Sequence, residues 1–132
     1  MPNKVYVTWE EVEDFVDFVA TSFNEEFTGV YGLPRGGLTI AVMLSHRLNI
    51  PLLMSPVKHC LIVDDICDSG ESLLHYMRNT SNPDKAKDYI TATIFYKKNK
   101  LGIIPDLYYK YKEDMWIVFP WEYDEDRLKK ED

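Results

Sequence analysis

Apolar residues near the start of the chain recur at helical spacing. Trp9, Val12, Phe15, Val16, Val19 and Phe23 fall on one face, which predicts an amphipathic helix ending near Asn24. Thr8-Trp9-Glu10-Glu11 marks its start as a capping box, with Thr8 as N-cap and Glu11 reaching back. Val5 to Val7 forms a short extended stretch ahead of it. Gly29 to Leu33 reads as a strand running into a turn. Helical spacing then resumes from Gly37 through Leu38, Ala41, Val42, Ser45 and Leu48. Pro51 to Met54 predicts a brief buried strand.

The middle of the chain changes period. Cys60-Leu61-Ile62-Val63 is a continuous apolar run, the pattern of a central parallel strand covered on both faces, and it stops at Asp64-Asp65. A Ser/Gly turn leads into a helix with Leu73, Leu74 and Met77 inward, and Asn82-Pro83-Asp84 marks a loop. Tyr89 to Tyr96 alternates and is rich in β-branched residues, and Leu107 to Tyr111 and Trp116 to Phe119 are two further strands. From Glu122 the chain is almost wholly charged and is expected to fray. Strands alternating with helices predict an α/β domain with a mainly parallel sheet, in which ligands bind beyond the carboxyl ends of the strands. Two unusual loops fall there: Pro34-Arg35-Gly36-Gly37 and Asp64 to Ser72.

Composition narrows the picture. With 132 residues, 45% of them hydrophobic, the chain is the size of one domain able to bury its own core. No repeat, linker or second domain is visible. No apolar run approaches the roughly 18 residues of a membrane span, and the N-terminus lacks a secretory pattern, so a cytoplasmic protein without membrane partners is expected. The net charge is 15 − 22 = −7, which argues against nucleic acid as a partner. Free nucleotides remain possible, because magnesium and backbone amides can hold them on an acidic protein. Cys60 and Cys67, with six residues between them, match neither a CxxC redox pair nor a zinc half-site and read as reduced, structural cysteines.

The candidate chemistry lies in Cys60 to Ser72. A buried strand delivers two adjacent carboxylates to the sheet edge, and a turn of small polar residues then opens a helix. Amides of such a turn, with the helix dipole behind them, suit a phosphate, and Ser69 and Ser72 can add hydroxyl donors. Carboxylates beside a phosphate site make sense if the ligand also offers sugar hydroxyls and magnesium. Taken singly, paired aspartates at a strand end or a Ser-Gly cap are common and carry little. Their order and spacing together carry the inference.

These thirteen residues resemble the phosphoribosyl-pyrophosphate signature of the type I phosphoribosyltransferases, with four apolar residues, two acids, a third acid and a small-residue loop in place. Within that superfamily the chain is similar to the bacterial xanthine-guanine branch. Val5 to Trp9 resembles its opening strand and helix start, and Tyr31 to Leu38 its pyrophosphate-loop region. Thr93 to Lys97 and Trp116 to Glu122 resemble its base-binding hood. The resemblance implies a mainly parallel, twisted sheet flanked by helices with a small hood for the base. It covers residues 1–123 as one domain, leaving 124–132 as a charged tail.

The resemblance also implies roles. Asp64 and Asp65 would hold the ribose hydroxyls, with Asp65 also near Mg2+. Asp68 would be catalytic, exchanging a proton with the purine imidazole ring, a role compatible with capping the following helix. Ser69, Gly70, Glu71 and Ser72 would cradle the 5′-phosphate, with the Glu71 side chain pointing outward. Arg35 and Gly36 would wrap the pyrophosphate, in a loop where the family often has a non-proline cis peptide, here near Pro34-Arg35. Lys97 would donate to the purine 6-oxo group, Trp116 would stack on the base, and the Ile117 backbone would read its 2-position. Against this, Trp116 reads equally as a core aromatic, and Lys97 as part of the solvated run Lys97-Lys98-Lys100.

The implied activity is glycosyl transfer in purine salvage, from phosphoribosyl pyrophosphate to a purine base, in a homo-oligomer. One feature departs from the family. Its long mobile lid should lie between Met54 and Cys60, where only the five residues Ser55 to His59 stand. That motivates a second reading, a non-catalytic or regulatory module that binds phosphoribosyl pyrophosphate or a nucleotide. A receiver-like phosphoacceptor with Asp64-Asp65 as its acidic pocket is a third, but it leaves the phosphate turn and Trp116 unexplained.

Overall fold

The computed structural model describes residues 3–77 and 88–126, and of Met77 the backbone alone. In chain order the elements are β1 (Lys4–Tyr6), α1 (Trp9–Ser22), β2 (Val30–Gly32), α2 (Gly36–Leu48), β3 (Cys60–Cys67), α3 (Glu71–Met77), β4 (Tyr89–Tyr96), β5 (Leu107–Tyr111) and β6 (Trp116–Val118). Strands β2-β3-β4-β5 form one sheet, parallel throughout, and β1 pairs with β6, also parallel, in a separate two-stranded sheet. This is the α/β architecture that the alternation of elements predicts, with β1–β6 standing apart as a hood.

Burial on both faces explains the unbroken apolar run in β3. Leu61 and Val63 join Val12, Phe15, Val19, Ile40 and Leu44 of α1 and α2 in one core cluster. Cys60 and Ile62 point the other way, into a second cluster with Leu33, Leu73 of α3 and Ile103. Each fully buried side chain of this size contributes about 1.5–3 kcal/mol. The helix start at Thr8 is as expected in part: its Oγ1 accepts from Glu11 N–H at 3.1 Å. Glu11, however, accepts from the Thr8 hydroxyl at 3.4 Å and pairs with Lys110 at 3.2 Å.

Several expectations are corrected. In α2 the buried face is Gly37, Ile40, Ala41 and Leu44, while Leu38 and Val42 are exposed. The helix starts one residue before the apolar pattern was anchored, and packing of Gly37 onto β3 sets its rotation. Leu52 makes only an isolated bridge to Val30, and Leu52 and Met54 are exposed, so Pro51 to Met54 is no buried strand. β3 does not stop at Asp64-Asp65 but continues to Cys67, because β4 pairs along it as far as Cys67↔Tyr96. Nor does the acidic tail fray at once: Asp124 and Asp126 hold the Lys4 ammonium at 2.7 and 2.6 Å, and Tyr6 OH donates to Asp124 at 2.8 Å. The Asn82-Pro83-Asp84 loop lies outside the described residues. No helix among the described residues is long and apolar enough to cross a membrane.

Candidate functional site

The carboxyl ends of β2 to β5 lie side by side and carry most of the residues singled out above. After β2 the peptide Pro34-Arg35 is cis, at the position expected. Arg35 then precedes α2, and Gly36 sits against the Asp65 carboxylate so closely that a Cβ there would collide with it. A Cβ on Gly37 would meet the Val63 carbonyl oxygen. Glycine at both positions therefore lets α2 begin in contact with the end of β3, which brings Arg35 and Asp65 to one cleft. That cleft, of about 690 Å³, is also lined by Thr39, Trp121, Glu122 and Tyr123.

Asp64 is buried, and its Oδ1 accepts from Asp65 N–H at 2.9 Å. Burial first, and the neighbouring Asp65 carboxylate second, push the Asp64 carboxyl up to about 8. The Asp65 carboxylate in turn accepts from Ile66 N–H at 2.7 Å. The two acids thus sit side by side within the carboxyl half of β3, with Asp65 reaching the cleft.

Beyond Cys67 the chain turns through Asp68, Ser69 and Gly70. Gly70 has φ 85°, a conformation that suits glycine, and Ser69 Oγ accepts from Glu71 N–H at 3.2 Å. The turn encloses a small hollow of about 130 Å³ lined by Asp68, Ser69, Gly70, Ser72 and Leu73. Glu71 is exposed. Gly70 packs on Ile103, which Asn99 fixes through hydrogen bonds of 3.0 and 2.8 Å to its N–H and C=O. Asn99 and Ile103 support the turn from the loop after β4.

Lys97 N–H donates to the Cys67 carbonyl at 2.9 Å, and its ammonium pairs with Asp114 at 3.3 Å. It lines a second cleft of about 690 Å³ with Asn3, Val5, Tyr111, Lys112 and Met115. Trp116 is not among the residues lining that cleft. It stands half exposed on β6, directly opposite Lys4, whose ammonium lies 4.5 Å from the ring centroid. Ile117, the next residue, is buried and pairs with Val5. The pairing of β1 with β6 sets Trp116 beside Lys4, and the Trp116 main-chain N–H donates at 3.1 Å to the carbonyl of Asn3, a residue lining the Lys97 cleft.

Sequence reasoning missed Lys112. It follows β5, and its Nζ lies 3.1 Å from Asp68 Oδ2. Nothing local distinguishes it from Lys110, whose ammonium instead pairs with Glu11. Cys60 and Cys67 are both free and buried, and burial raises both thiols, Cys67 to about 11, so neither is a reactive group.

Residues 52–127 match the family described as the phosphoribosyl transferase domain. The chain is 26% identical, over an alignment of 147 residues, to xanthine-guanine phosphoribosyltransferase from Idiomarina loihiensis, with 91% of this chain and 88% of that one covered. Among solved structures it is similar to a purine phosphoribosyltransferase from Pyrococcus horikoshii Ot3, at 30% identity, 92% and 95% coverage and a TM-score of 0.74. Its fold is also that of Helicobacter pylori xanthine-guanine-hypoxanthine phosphoribosyltransferase, at 24% identity, 97% and 99% coverage and a TM-score of 0.71. With the domain match spanning more than half its length and both the relatives and the strand-end geometry in agreement, this chain belongs to the phosphoribosyltransferase family, in its type I fold.

Proposed function

We propose that the protein transfers the 5-phosphoribosyl group of phosphoribosyl pyrophosphate to a 6-oxopurine, giving a nucleoside 5′-monophosphate and pyrophosphate. The observation that carries this reading is the meeting, at the end of β3, of the Asp64-Asp65 pair, the Asp68 to Ser72 turn and the Arg35-Gly36 loop. The hollow inside the turn takes the 5′-phosphate, held by backbone amides and the Ser69 and Ser72 hydroxyls. Asp64 and Asp65 accept hydrogen bonds from the ribose hydroxyls, and Arg35 faces the departing pyrophosphate. The bond from ribose C1 to pyrophosphate breaks ahead of the new bond to the purine nitrogen, so the ribose passes through an oxocarbenium-like state. Asp68 takes up the proton that the purine imidazole ring releases. Holding both reactants in line and stabilising the leaving charge supply the acceleration.

The site's chemistry fits Mg2+. Among the described residues no group of three or more potential ligands exists, so these residues offer no closed metal cage. Magnesium does not need one, since it keeps several waters and binds through one or two carboxylates plus substrate phosphates. Asp64, raised by burial beside Asp65, is a carboxyl in want of a counter-charge, and Asp65 faces the Arg35 cleft. Bound there, the ion would supply positive charge to the pyrophosphate. In calorimetry the protein with Mg2+ is expected to bind phosphoribosyl pyrophosphate or a purine nucleoside monophosphate. No heat with either ligand would remove the whole reading.

For the base, the names of the relatives and the position of Lys97 support a 6-oxopurine. A 6-oxo group accepts from the Lys97 ammonium, whereas the 6-amino group of adenine sets donor against donor. An unmet buried polar group costs about 1–3 kcal/mol, roughly ten- to a hundredfold in selectivity. Trp116 keeps a half-exposed indole on the hood for stacking, and the Ile117 backbone is available to the 2-position. Incubation with Mg2+, phosphoribosyl pyrophosphate and each of guanine, hypoxanthine, xanthine and adenine is expected to yield monophosphates of the first three. Lys97→Ala should flatten the preference. Best use of adenine or a pyrimidine by the wild type would overturn the base assignment and leave the phosphoribosyl site standing.

One observation favours a second reading. Residues 54–59 form only bends and a tight turn between the Leu52 bridge and β3, too little to close over the Arg35 cleft. A module that binds phosphoribosyl pyrophosphate without transferring it would satisfy the same geometry. Binding in calorimetry with no monophosphate formed from any base would select it.

A further inference from the structure

The ion pair between Lys112 and Asp68 has no part in the reading above. Lys112 lies just past the end of β5, where its N–H donates to the Tyr96 carbonyl at 2.7 Å. Because β4 stands between β5 and β3, its side chain must cross the end of β4 to place Nζ 3.1 Å from Asp68 Oδ2. Only 12% of the Lys112 side chain is exposed, against 54% for Asp68. Lysine is seldom so covered unless its ammonium is paired, and here the covered partner holds the open one. Lys97, the neighbouring ammonium in the same cleft, is turned to Asp114 instead. Among the described residues, Lys112 is the one side chain that bonds the Asp68 carboxylate.

An open carboxylate on a turn samples several rotamers. Asp68 lines the hollow of the turn, Lys112 lines the cleft that contains Lys97, and their contact joins the two. We propose that Lys112 is a positioning residue for the transfer reaction. Its ammonium holds the Asp68 carboxylate toward the Lys97 cleft, so that the group meeting the purine imidazole ring is already oriented when the base arrives. This rests on the assignment of Asp68 as the proton-exchanging group of that site. Ordering a reacting group in advance raises turnover more than it raises binding of the distant phosphoribosyl half.

Lys112→Met keeps the apolar stem and removes the ammonium, and Lys112→Arg keeps the charge. Lys112→Met is expected to lower kcat about tenfold while the KM for phosphoribosyl pyrophosphate stays within about twofold, and Lys112→Arg to recover most of the lost rate. In an Asp68→Asn background the same Lys112→Met change should matter less than about twofold, since there is no longer a carboxylate to orient. A tenfold loss that persists in that background would show that Lys112 does not act through Asp68, and an unchanged kcat in Lys112→Met alone would equally overturn the proposal. The 15N resonance of the Lys112 ammonium, followed without substrates, should move on Asp68→Asn; an unmoved resonance means the pair does not form. A wild-type protein that transfers phosphoribose to no purine would sink the functional reading instead, and the resonance would still decide the pairing.

Discussion

Asp68→Asn is expected to lower turnover about 10²–10⁴-fold, the usual contribution of a positioned general acid or base, while phosphoribosyl pyrophosphate binds nearly as before. The two effects separate because of where Asp68 stands. Its carboxylate is exposed on the turn, whereas the hollow below it is shaped by main chain and by Ser69, Gly70 and Ser72. Asparagine has the same shape and can still accept from Lys112, so the turn and its hollow survive. It cannot take up a proton from the imidazole ring of a base. Initial rates at saturating substrates, beside calorimetric titration with phosphoribosyl pyrophosphate, read the two quantities separately. Equal turnover in mutant and wild type would remove Asp68 from the mechanism. A parallel fall in affinity and turnover would make it a binding group only.

The second large effect is on stability. In metal-free buffer the protein should become less stable as the pH rises from about 4 to about 8, by on the order of a few kcal/mol from the Asp64-Asp65 pair. Burial, and then the Asp65 carboxylate, raise the Asp64 carboxyl from 3.8 to about 8. Between those values the folded protein keeps a proton that the unfolded chain has released. The stabilisation is therefore complete below about pH 4 and is lost as the pH climbs through the folded value. Urea unfolding at pH 5 and pH 8 with a chelator present measures it, and Asp64→Asn should flatten the wild-type difference. Added Mg2+ should restore stability at pH 8 more than at pH 5, because it supplies the counter-charge that the ionised pair lacks. Wild type and Asp64→Asn with the same pH dependence would refute the assignment.

The elements of this fold were legible where one local signal sufficed. β4 and β5 occupy the residues read as strands, Tyr89–Tyr96 and Leu107–Tyr111, and α1 begins at its Thr8 cap. The rotation of α2 was not legible. Leu38 and Val42 look like core residues, yet Gly37 packs onto β3 and turns Ile40 and Leu44 inward instead. Pro51 to Met54 is apolar enough for a strand, but a strand needs a partner along its length, and Leu52 finds Val30 alone. Charge at the C-terminal end suggested fraying because the acids have no local partners. Lys4 and Tyr6, at the other end of the chain, hold Asp124 and Asp126.

The candidate site divides along the same line. By itself the sequence determined the acidic pair at the end of an apolar strand, the small-residue turn that follows it and the Arg35-Gly36 loop, because each is a short-range pattern with its own chemistry. Tertiary structure alone decided which of them meet: that Gly36 lies against Asp65, that Trp116 sits opposite Lys4, and that Lys112 reaches Asp68 across 44 residues of chain. Those contacts depend on the order of strands in the sheet and on the pairing of β1 with β6. Neighbours across a sheet are set by topology and register, which no local run of residues encodes.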